Sequence, residues 1–259
     1  MSLKAIPALL FHTAAASIMI WAYSSLSLSP MHPIIMSRKG GHWGFLTIQG
    51  LGFATVTVGL GLVCDLLPGL KSLNTMKRYF QMISIALACT ISSIYWSLLF
   101  FAPGLILPRL PHAATNPMSI VPGEPSSESR LIRIPLHLDL ALHAAPGLSM
   151  ALDFFLFEKR YTRDQAWRQA PLMVLLFVFW YGGLTEYLGV LNDGIMPYPF
   201  LTLSPLPIRA AIYSGAGLLA YLSFQFLNTL HPGRPLMAQI GLMQDEAQPI
   251  HHKTEKKSD

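Results

Sequence analysis

The sequence has few charged residues and few cysteines, and both shortages narrow the class of protein. Charged residues make up 12% of the 259 residues, whereas hydrophobic residues make up 52% and the mean hydropathy is +0.44. A soluble domain carries about 25% charged residues, so the composition indicates a membrane protein. The two cysteines, Cys64 and Cys89, are too few for a disulfide framework or a cysteine-based metal site.

The sequence also lacks the short motifs of common hydrolases and nucleotide-binding proteins. It has no GxSxG elbow, no HExxH zinc signature and no GxxxxGK[ST] phosphate loop. Its basic residues are scattered over short segments, which argues against a nucleic-acid-binding surface. We therefore predict no cofactor, no metal ion and no nucleic-acid partner.

Six long apolar runs dominate the sequence instead. Each is long enough to cross a bilayer as a helix, which needs about 20 residues. None shows the alternation of a membrane β-strand, so we predict an all-α polytopic membrane bundle. The predicted transmembrane domain covers residues 1–231, with spans at about 5–27, 45–67, 79–103, 134–157, 169–191 and 207–230.

The basic residues between the spans predict the orientation of the chain. Two thirds of the lysines and arginines fall in the N-terminus, the second and fourth loops and the C-terminal tail, among them Lys77 and Arg78 of the second loop. The positive-inside rule places these segments, and so both termini, in the cytosol. The Pro- and Ser-rich segment 104–132 then lies on the other side of the membrane, as a lid or as a disordered tether.

The polar tail, residues 232–259, is predicted to be disordered and cytosolic. It ends in Lys256-Lys257-Ser258-Asp259, which matches the dilysine pattern that cytosolic coat proteins use to return membrane proteins to the endoplasmic reticulum. We therefore predict the endoplasmic reticulum membrane as the location, with the plasma membrane as the alternative.

Ionisable side chains inside an apolar span are costly to bury and therefore indicate a site. Asp139 and His143 are four residues apart, so they share one face of the fourth span. A carboxylate one turn before a histidine can orient its ring for proton transfer. Such a pair can also simply hydrogen-bond neighbouring helices, and that second interpretation is preferred for His12 and Asp153.

More polar residues lie on the predicted non-cytosolic side of the membrane. Thr47 stands at the start of the second span, where an apolar run begins, and Glu186 lies near the end of the fifth span. With Asp139 and His143 they form one predicted polar cluster, which also includes Tyr95 and Tyr198.

Several short motifs together resemble the androgen-induced gene family, which includes the androgen-dependent TFPI-regulating protein. The motifs are Gly40-Gly41, Trp43-Gly44-Phe45-Leu46-Thr47, Cys64-Asp65-Leu66, Leu142-His143-Ala144-Ala145-Pro146 and Tyr198-Pro199-Phe200-Leu201. The similarity covers all six spans, roughly residues 5–230. It implies a multipass membrane hydrolase that uses a threonine and a histidine to cleave fatty acid esters of hydroxy fatty acids.

The resemblance implies that Thr47 is the nucleophile and that His143 is the general base. Asp139 would orient His143, and Glu186 would bind water or replace Asp139 in that role. The oxyanion formed during ester cleavage needs hydrogen-bond donors. The candidates are backbone N–H groups at the start of the second span and the side chains of His42, Gln49, Tyr95 and Tyr198.

Two other classes of function stay open on the sequence alone. A proton- or ion-coupled transporter would bind its ion at Asp139, His143 and Glu186, and a non-catalytic lipid-binding protein would not need Thr47. The transporter is less favoured because the two halves of the sequence show no internal repeat. The predicted partners are a lipid ester substrate and membrane lipids.

Overall fold

A computed structural model describes residues 6–107, 133–237 and 239. Within these ranges the chain is helical and contains no strand, which confirms the predicted all-α class. Five helices are long and apolar enough to cross a membrane, and a sixth span results if a bent pair of shorter helices counts as one. The predicted lid or tether at 104–132 and the predicted disordered tail at 232–259 lie largely outside the described residues.

The helices are labelled in chain order. They are α1 (Ile6–Ser25), α2 (His32–Met36), α3 (Leu46–Leu66), α4 (Lys71–Phe101), α5 (Leu136–His143), α6 (Ala145–Phe157), α7 (Ala170–Leu191), α8 (Pro199–Thr202) and α9 (Leu206–Leu230). Single turns of 3-10 helix follow α1 and α4 and precede α3, and a π-helical turn, Gln165–Gln169, precedes α7.

The fourth span is not one continuous helix, contrary to the prediction for residues 134–157. It breaks at Ala144 into α5 and α6, which meet at a bend of 41°. Pro146 causes the break, because it has no N–H to donate to the carbonyl four residues earlier and its ring crowds the preceding turn. The carbonyl of His143, which lies at the break, accepts a hydrogen bond from the Ser92 hydroxyl of α4.

Small residues let α1, α3 and α4 approach one another closely, as they do in many membrane bundles. Gly61 of α3 has no room for a side chain, since a Cβ there would lie 2.7 Å from His12 Nε2. The hydroxyls of Thr57 on α3 and Ser84 on α4 lie 2.7 Å apart. The stripe of α1 that faces this packing repeats at intervals of three and four residues and consists of Ala8, His12, Ala15, Met19 and Ala22.

A buried cluster of charges joins α1, α3, α4 and α6 at the end of the bundle where α3 ends. His12 Nε2 lies 3.1 Å from Asp153 Oδ1, and His12 Nδ1 lies 2.6 Å from Asp65 Oδ2. Lys77 Nζ lies 3.0 Å from Asp153 Oδ1 and 2.9 Å from Glu158 Oε1. The contacts confirm that His12 and Asp153 link neighbouring helices.

Lys77 and Arg78 do not lie in a loop, and that part of the sequence prediction is wrong. α4 begins at Lys71, about two turns before the predicted start of the third span. Lys77 is only 4% exposed, and its burial is tolerated because two carboxylates neutralise its charge. Arg78 donates to Glu158 Oε2 at 3.0 Å. The carboxylates come from α6 and the residue after it, so the sequence of α4 alone does not reveal the pairing.

Candidate functional site

An apolar cavity of about 500 Å³ lies between α3, α4, α7 and α9, with α8 and the residues just after α4 completing its wall. Thr47 lines it, and we call this end of the bundle the Thr47 end. The volume falls within the range of about 300–1,000 Å³ that is typical of small-molecule sites. Most of the wall is hydrocarbon, contributed by residues such as Ile83, Leu87, Ile91, Phe177, Val178 and Leu219.

Six hydroxyl-bearing residues line the cavity, and three of them have their hydroxyls engaged with the protein. Thr90 donates to a carbonyl of its own helix. Tyr213 donates to Glu186 Oε1 at 2.9 Å, and Tyr181 donates to the Gly44 carbonyl at 3.4 Å. The other three hydroxyls also have polar neighbours: Tyr95 lies beside Asp139, and Thr47 and Tyr198 lie beside each other.

The hydroxyl of Thr47 is placed differently from those of most helical threonines in the described residues. A hydroxyl donating to the carbonyl four residues earlier is seen at Thr13, Thr55, Thr57, Thr75, Thr90 and Thr229. Thr47 lies in the first turn of α3, and the carbonyl four residues before it belongs to Trp43, outside the helix. That carbonyl accepts from Gln49 Nε2 at 3.0 Å, and the Thr47 hydroxyl lies beside the Tyr198 phenol at the cavity wall instead.

His143 ends α5 and bonds Asp139, as the spacing of four residues predicts. Its Nδ1 lies 2.9 Å from Asp139 Oδ1 and 3.1 Å from the Asp139 carbonyl oxygen. Because both neighbours are acceptors, the proton of a neutral His143 sits on Nδ1 and Nε2 keeps its lone pair. Nε2 makes no hydrogen bond to any described residue. The Arg133 guanidinium lies 3.5 Å from Asp139 Oδ2 and adds a positive charge beside the buried carboxylate.

Tyr95 of α4 connects His143 to the cavity. Its ring stacks on the imidazole with the ring centroids 3.4 Å apart and the planes 1° from parallel. The same tyrosine lines the cavity, whereas His143 does not. Tyr95 therefore lies between the cavity and the histidine, and it fixes the plane of the imidazole ring.

The packing on α4 places Thr47 and His143 at the same depth in the bundle. Gly50 of α3 packs against Ile91 of α4, which leaves no room for a Cβ at Gly50. Since α3 and α4 run antiparallel, Thr47 lies about one turn further along α4, level with Tyr95. Tyr95 is also the residue that stacks on His143. No hydrogen bond joins Thr47 to His143 within the part of the chain that the structure describes.

Glu186 does not bond His143, so the prediction that it could replace Asp139 as the orienting carboxylate is wrong. Arg209 holds Glu186 through two hydrogen bonds, from Nε at 2.7 Å and from Nη2 at 2.6 Å. Tyr213 donates a third. This bidentate ion pair ties α7 to α9 at the Thr47 end, and both helices line the cavity.

Gln49 and His42 do not line the cavity, although the sequence suggested both as oxyanion donors. Besides bonding the chain just before α3, Gln49 accepts from Trp180 Nε1 at 3.3 Å. His42 Nε2 lies 2.9 Å from His32 Nδ1, and the two rings are stacked. The two side chains hold the turn Gly41–Gly44 in place, and that turn leads directly into α3.

Neither Tyr181 nor Ser92 is among the residues predicted from the sequence. Tyr181 lies midway along α7, whereas the tyrosines of membrane spans are usually found at the membrane interface. That unusual depth is a signal in the sequence that points to a polar role. Ser92 gives no such signal, because its bond to the His143 carbonyl exists only where α5 and α6 meet.

The helical spans, the apolar cavity and the buried carboxylate–histidine pair define an integral membrane protein with an internal apolar cavity near a buried pair of Asp139 and His143. A family profile described as FAR-17a/AIG1-like protein matches residues 7–232, and the chain belongs to this family. A UPF0641 membrane protein of Schizosaccharomyces pombe is 23% identical over 224 residues, which cover 86% of this chain and 89% of that protein. No solved structure matches the chain.

His42 makes the stability of the folded protein depend on pH. Burial, followed by the charge that His32 carries when protonated, holds the pKa of His42 below its ordinary value of 6.5. At a pH between the two pKa values, His42 is protonated in the unfolded chain and neutral in the folded chain. The free energy of unfolding therefore falls as the pH drops from about 6.5 to the lower pKa of the folded state. We expect the unfolding temperature in detergent to fall over this window in the wild type and to fall less in His42→Gln.

The matched control for this experiment is His137→Gln, because His137 is an exposed histidine of α5. It should keep the pH dependence of the wild type. Identical pH profiles for the wild type and His42→Gln would contradict the prediction.

Proposed function

We propose that the protein is an integral membrane hydrolase that cleaves the ester bond of fatty acid esters of hydroxy fatty acids, or of a related lipid ester. Thr47 is the nucleophile and His143 is the general base. The observation that supports this is the position of Thr47 on the wall of an apolar cavity, level with the bonded pair of Asp139 and His143. The hydrocarbon wall suits acyl chains, and the hydroxyl suits an ester placed among them.

The reaction begins with activation of Thr47, because a threonine hydroxyl is a weak nucleophile at neutral pH. His143 Nε2 takes the hydroxyl proton while Oγ bonds to the ester carbonyl carbon, and Asp139 stabilises the resulting imidazolium. The tetrahedral intermediate then expels the hydroxy fatty acid, and His143 returns a proton to its oxygen. Water hydrolyses the acyl ester left on Thr47 with the same help from His143.

The route of the proton from Thr47 to His143 passes the Tyr95 ring. Catalytic hydrogen bonds are often long in the absence of substrate and tighten when it binds. The proposed mechanism requires rotation of the Tyr95 side chain, or a bridging water, to connect Nε2 with the hydroxyl. Both groups lie at the same depth along α4, so neither helix needs to slide.

We expect purified protein in detergent to hydrolyse a fatty acid ester of a hydroxy fatty acid. Thr47→Ala and His143→Gln should each lower kcat/KM by about 10³-fold or more, because each removes a group that acts in the transition state. Thr47→Ser should retain part of the activity, since it keeps the hydroxyl. Release of the hydroxy fatty acid, followed by mass spectrometry, measures the reaction.

The matched control is Thr55→Ala, which removes a hydroxyl that is bonded within α3 two turns further along. It should leave activity close to that of the wild type. Unfolding temperatures of all variants report whether the fold is intact. Wild-type activity in a well-folded Thr47→Ala variant would refute the threonine mechanism.

Gly215 of α9 offers a test of whether acyl chains occupy the cavity. It lines the cavity, and a Cβ added there would meet no other atom within 4 Å. Gly215→Leu should therefore fill part of the cavity without disturbing the packing. We expect kcat/KM for long-chain esters to fall roughly tenfold, with a smaller loss for short-chain esters.

Gly59→Leu is the control for this experiment. Gly59 of α3 also has no atom within 4 Å of an added Cβ, but it does not line the cavity. An unchanged preference for chain length in Gly215→Leu would show that acyl chains bind elsewhere.

The same proposal places the protein in the endoplasmic reticulum membrane with both termini in the cytosol. Its support is the Lys256-Lys257 pattern of the tail and the distribution of basic residues. We expect N-terminally tagged protein to coincide with an endoplasmic reticulum marker in fluorescence microscopy. The double variant Lys256→Ala/Lys257→Ala should reach the plasma membrane, whereas Lys253→Ala should not. Retention of the double variant would contradict the dilysine signal.

A further inference from the structure

The start of α3 is held by the loop between α7 and α8. A Cβ added to Gly44 would lie 3.6 Å from Pro197 Cγ, so the backbone just before α3 touches this loop directly. The next residue of the loop, Tyr198, packs its ring edge-on against Phe45 with the centroids 5.5 Å apart. Phe45 is the residue before the first turn of α3, and its side chain does not cap the helix. The loop therefore positions Tyr198 against the uncapped start of α3.

The phenol oxygen of Tyr198 lies among several hydrogen-bond donors. Burial raises the pKa of Tyr198, and hydrogen bonds from the Thr47 hydroxyl and from the backbone N–H groups of Thr47 and Leu46 oppose this rise. Tyr198, Thr47 and Tyr181 all line the cavity. The phenol and the first N–H groups of α3 thus meet beside the Thr47 hydroxyl, at the place where a substrate would react.

The chemistry of ester cleavage requires donors at this point. When Thr47 Oγ bonds to the carbonyl carbon, an electron pair of the C=O bond moves to the carbonyl oxygen, which becomes an oxyanion next to Oγ. Donors fixed in advance stabilise this charge most effectively. The other hydroxyls of the cavity are less suited, since Tyr213 bonds Glu186 and the Tyr95 ring lies flat on His143.

We propose that Tyr198 is a catalytic residue whose O–H donates a hydrogen bond to the oxyanion, while the backbone N–H groups of Leu46 and Thr47 hold its phenol oxygen in place. Tyr198 keeps its proton throughout. The proton of Thr47 goes to His143, and it leaves with the hydroxy fatty acid when the carbonyl bond re-forms and the ester C–O bond breaks. This inference rests on the proposed function, because it assigns one residue to a step of that reaction.

The test compares Tyr198→Phe with the wild type in ester hydrolysis. Loss of one oxyanion donor should lower kcat by about 10²–10³-fold with KM nearly unchanged, because the bond forms only in the transition state. Tyr187→Phe is the control, since Tyr187 is 61% exposed on α7 and does not line the cavity. It should keep wild-type kcat.

A second readout separates catalysis from a structural role. A long-chain trifluoromethyl ketone, which forms a charged tetrahedral adduct with a nucleophilic hydroxyl, should bind Tyr198→Phe less tightly by about the same factor as the loss in kcat/KM. A non-reactive amide of the same length should bind both proteins equally. A Tyr198→Phe variant that loses affinity for the ketone and the amide alike would overturn the proposal, because a distorted cavity would explain it.

Failure of this inference and failure of the proposed function give different results. Hydrolysis that requires Thr47 and His143 but proceeds at the wild-type rate in Tyr198→Phe would overturn the role of Tyr198 alone. Hydrolysis that survives Thr47→Ala would overturn both.

Discussion

Backbone polar groups in an apolar bundle must find hydrogen-bond partners inside the protein, and this constraint decides where the site forms. Regular helices satisfy their own groups, so they offer nothing to a substrate. At three of the places where the described chain departs from regular α-helix, a side chain bonds the exposed backbone carbonyl. Ser92 bonds the His143 carbonyl at the break between α5 and α6, Gln49 bonds the Trp43 carbonyl before α3, and Gln225 bonds the Ala166 carbonyl in the π-helical turn. The first two irregularities place His143 and Thr47 at helix ends.

The two ends of the bundle use polar residues in opposite ways. At the end where α3 terminates, His12, Lys77 and the carboxylates around them are packed tightly between four helices. Both ring nitrogens of His12 lie within hydrogen-bonding distance of carboxylates. At the Thr47 end the helices separate around a cavity, and the ion pair of Glu186 and Arg209 holds α7 to α9 beside it. The end where α3 terminates is therefore tightly packed around its ion pairs, whereas the Thr47 end encloses a cavity large enough for a small molecule.

The hydroxyls that line the cavity differ in what they bond. Thr90 and Thr47 both line the cavity, but the hydroxyl of Thr90 donates a hydrogen bond to a carbonyl of its own helix. A threonine in the first helical turn has no helical carbonyl four residues before it, so its hydroxyl can bond a group outside the helix, which here is Tyr198. The same helix start supplies N–H groups without intrahelical partners. The position of a threonine in its helix therefore decides, as much as its residue type, what its hydroxyl can bond.

The sequence by itself determined the class of fold, because apolar runs of about 20 residues can be stable only as membrane helices. It also determined that Asp139 and His143 share a helix face, since a spacing of four is a local property of a helix. Its motifs pointed to the family that the profile match shows. The roles assigned to Thr47 and His143 remain predictions.

Only the tertiary structure decided which distant side chains pair. Glu186 forms an ion pair with Arg209, and Lys77 is buried between Asp153 and Glu158. The tertiary structure also placed Tyr95 on His143 and Tyr198 beside Thr47. The physical reason is that helix formation depends on neighbours three or four residues apart, whereas these pairs depend on how whole helices rotate, tilt and pack. Contacts between helices fix those rotations, and a single helix sequence carries no record of them.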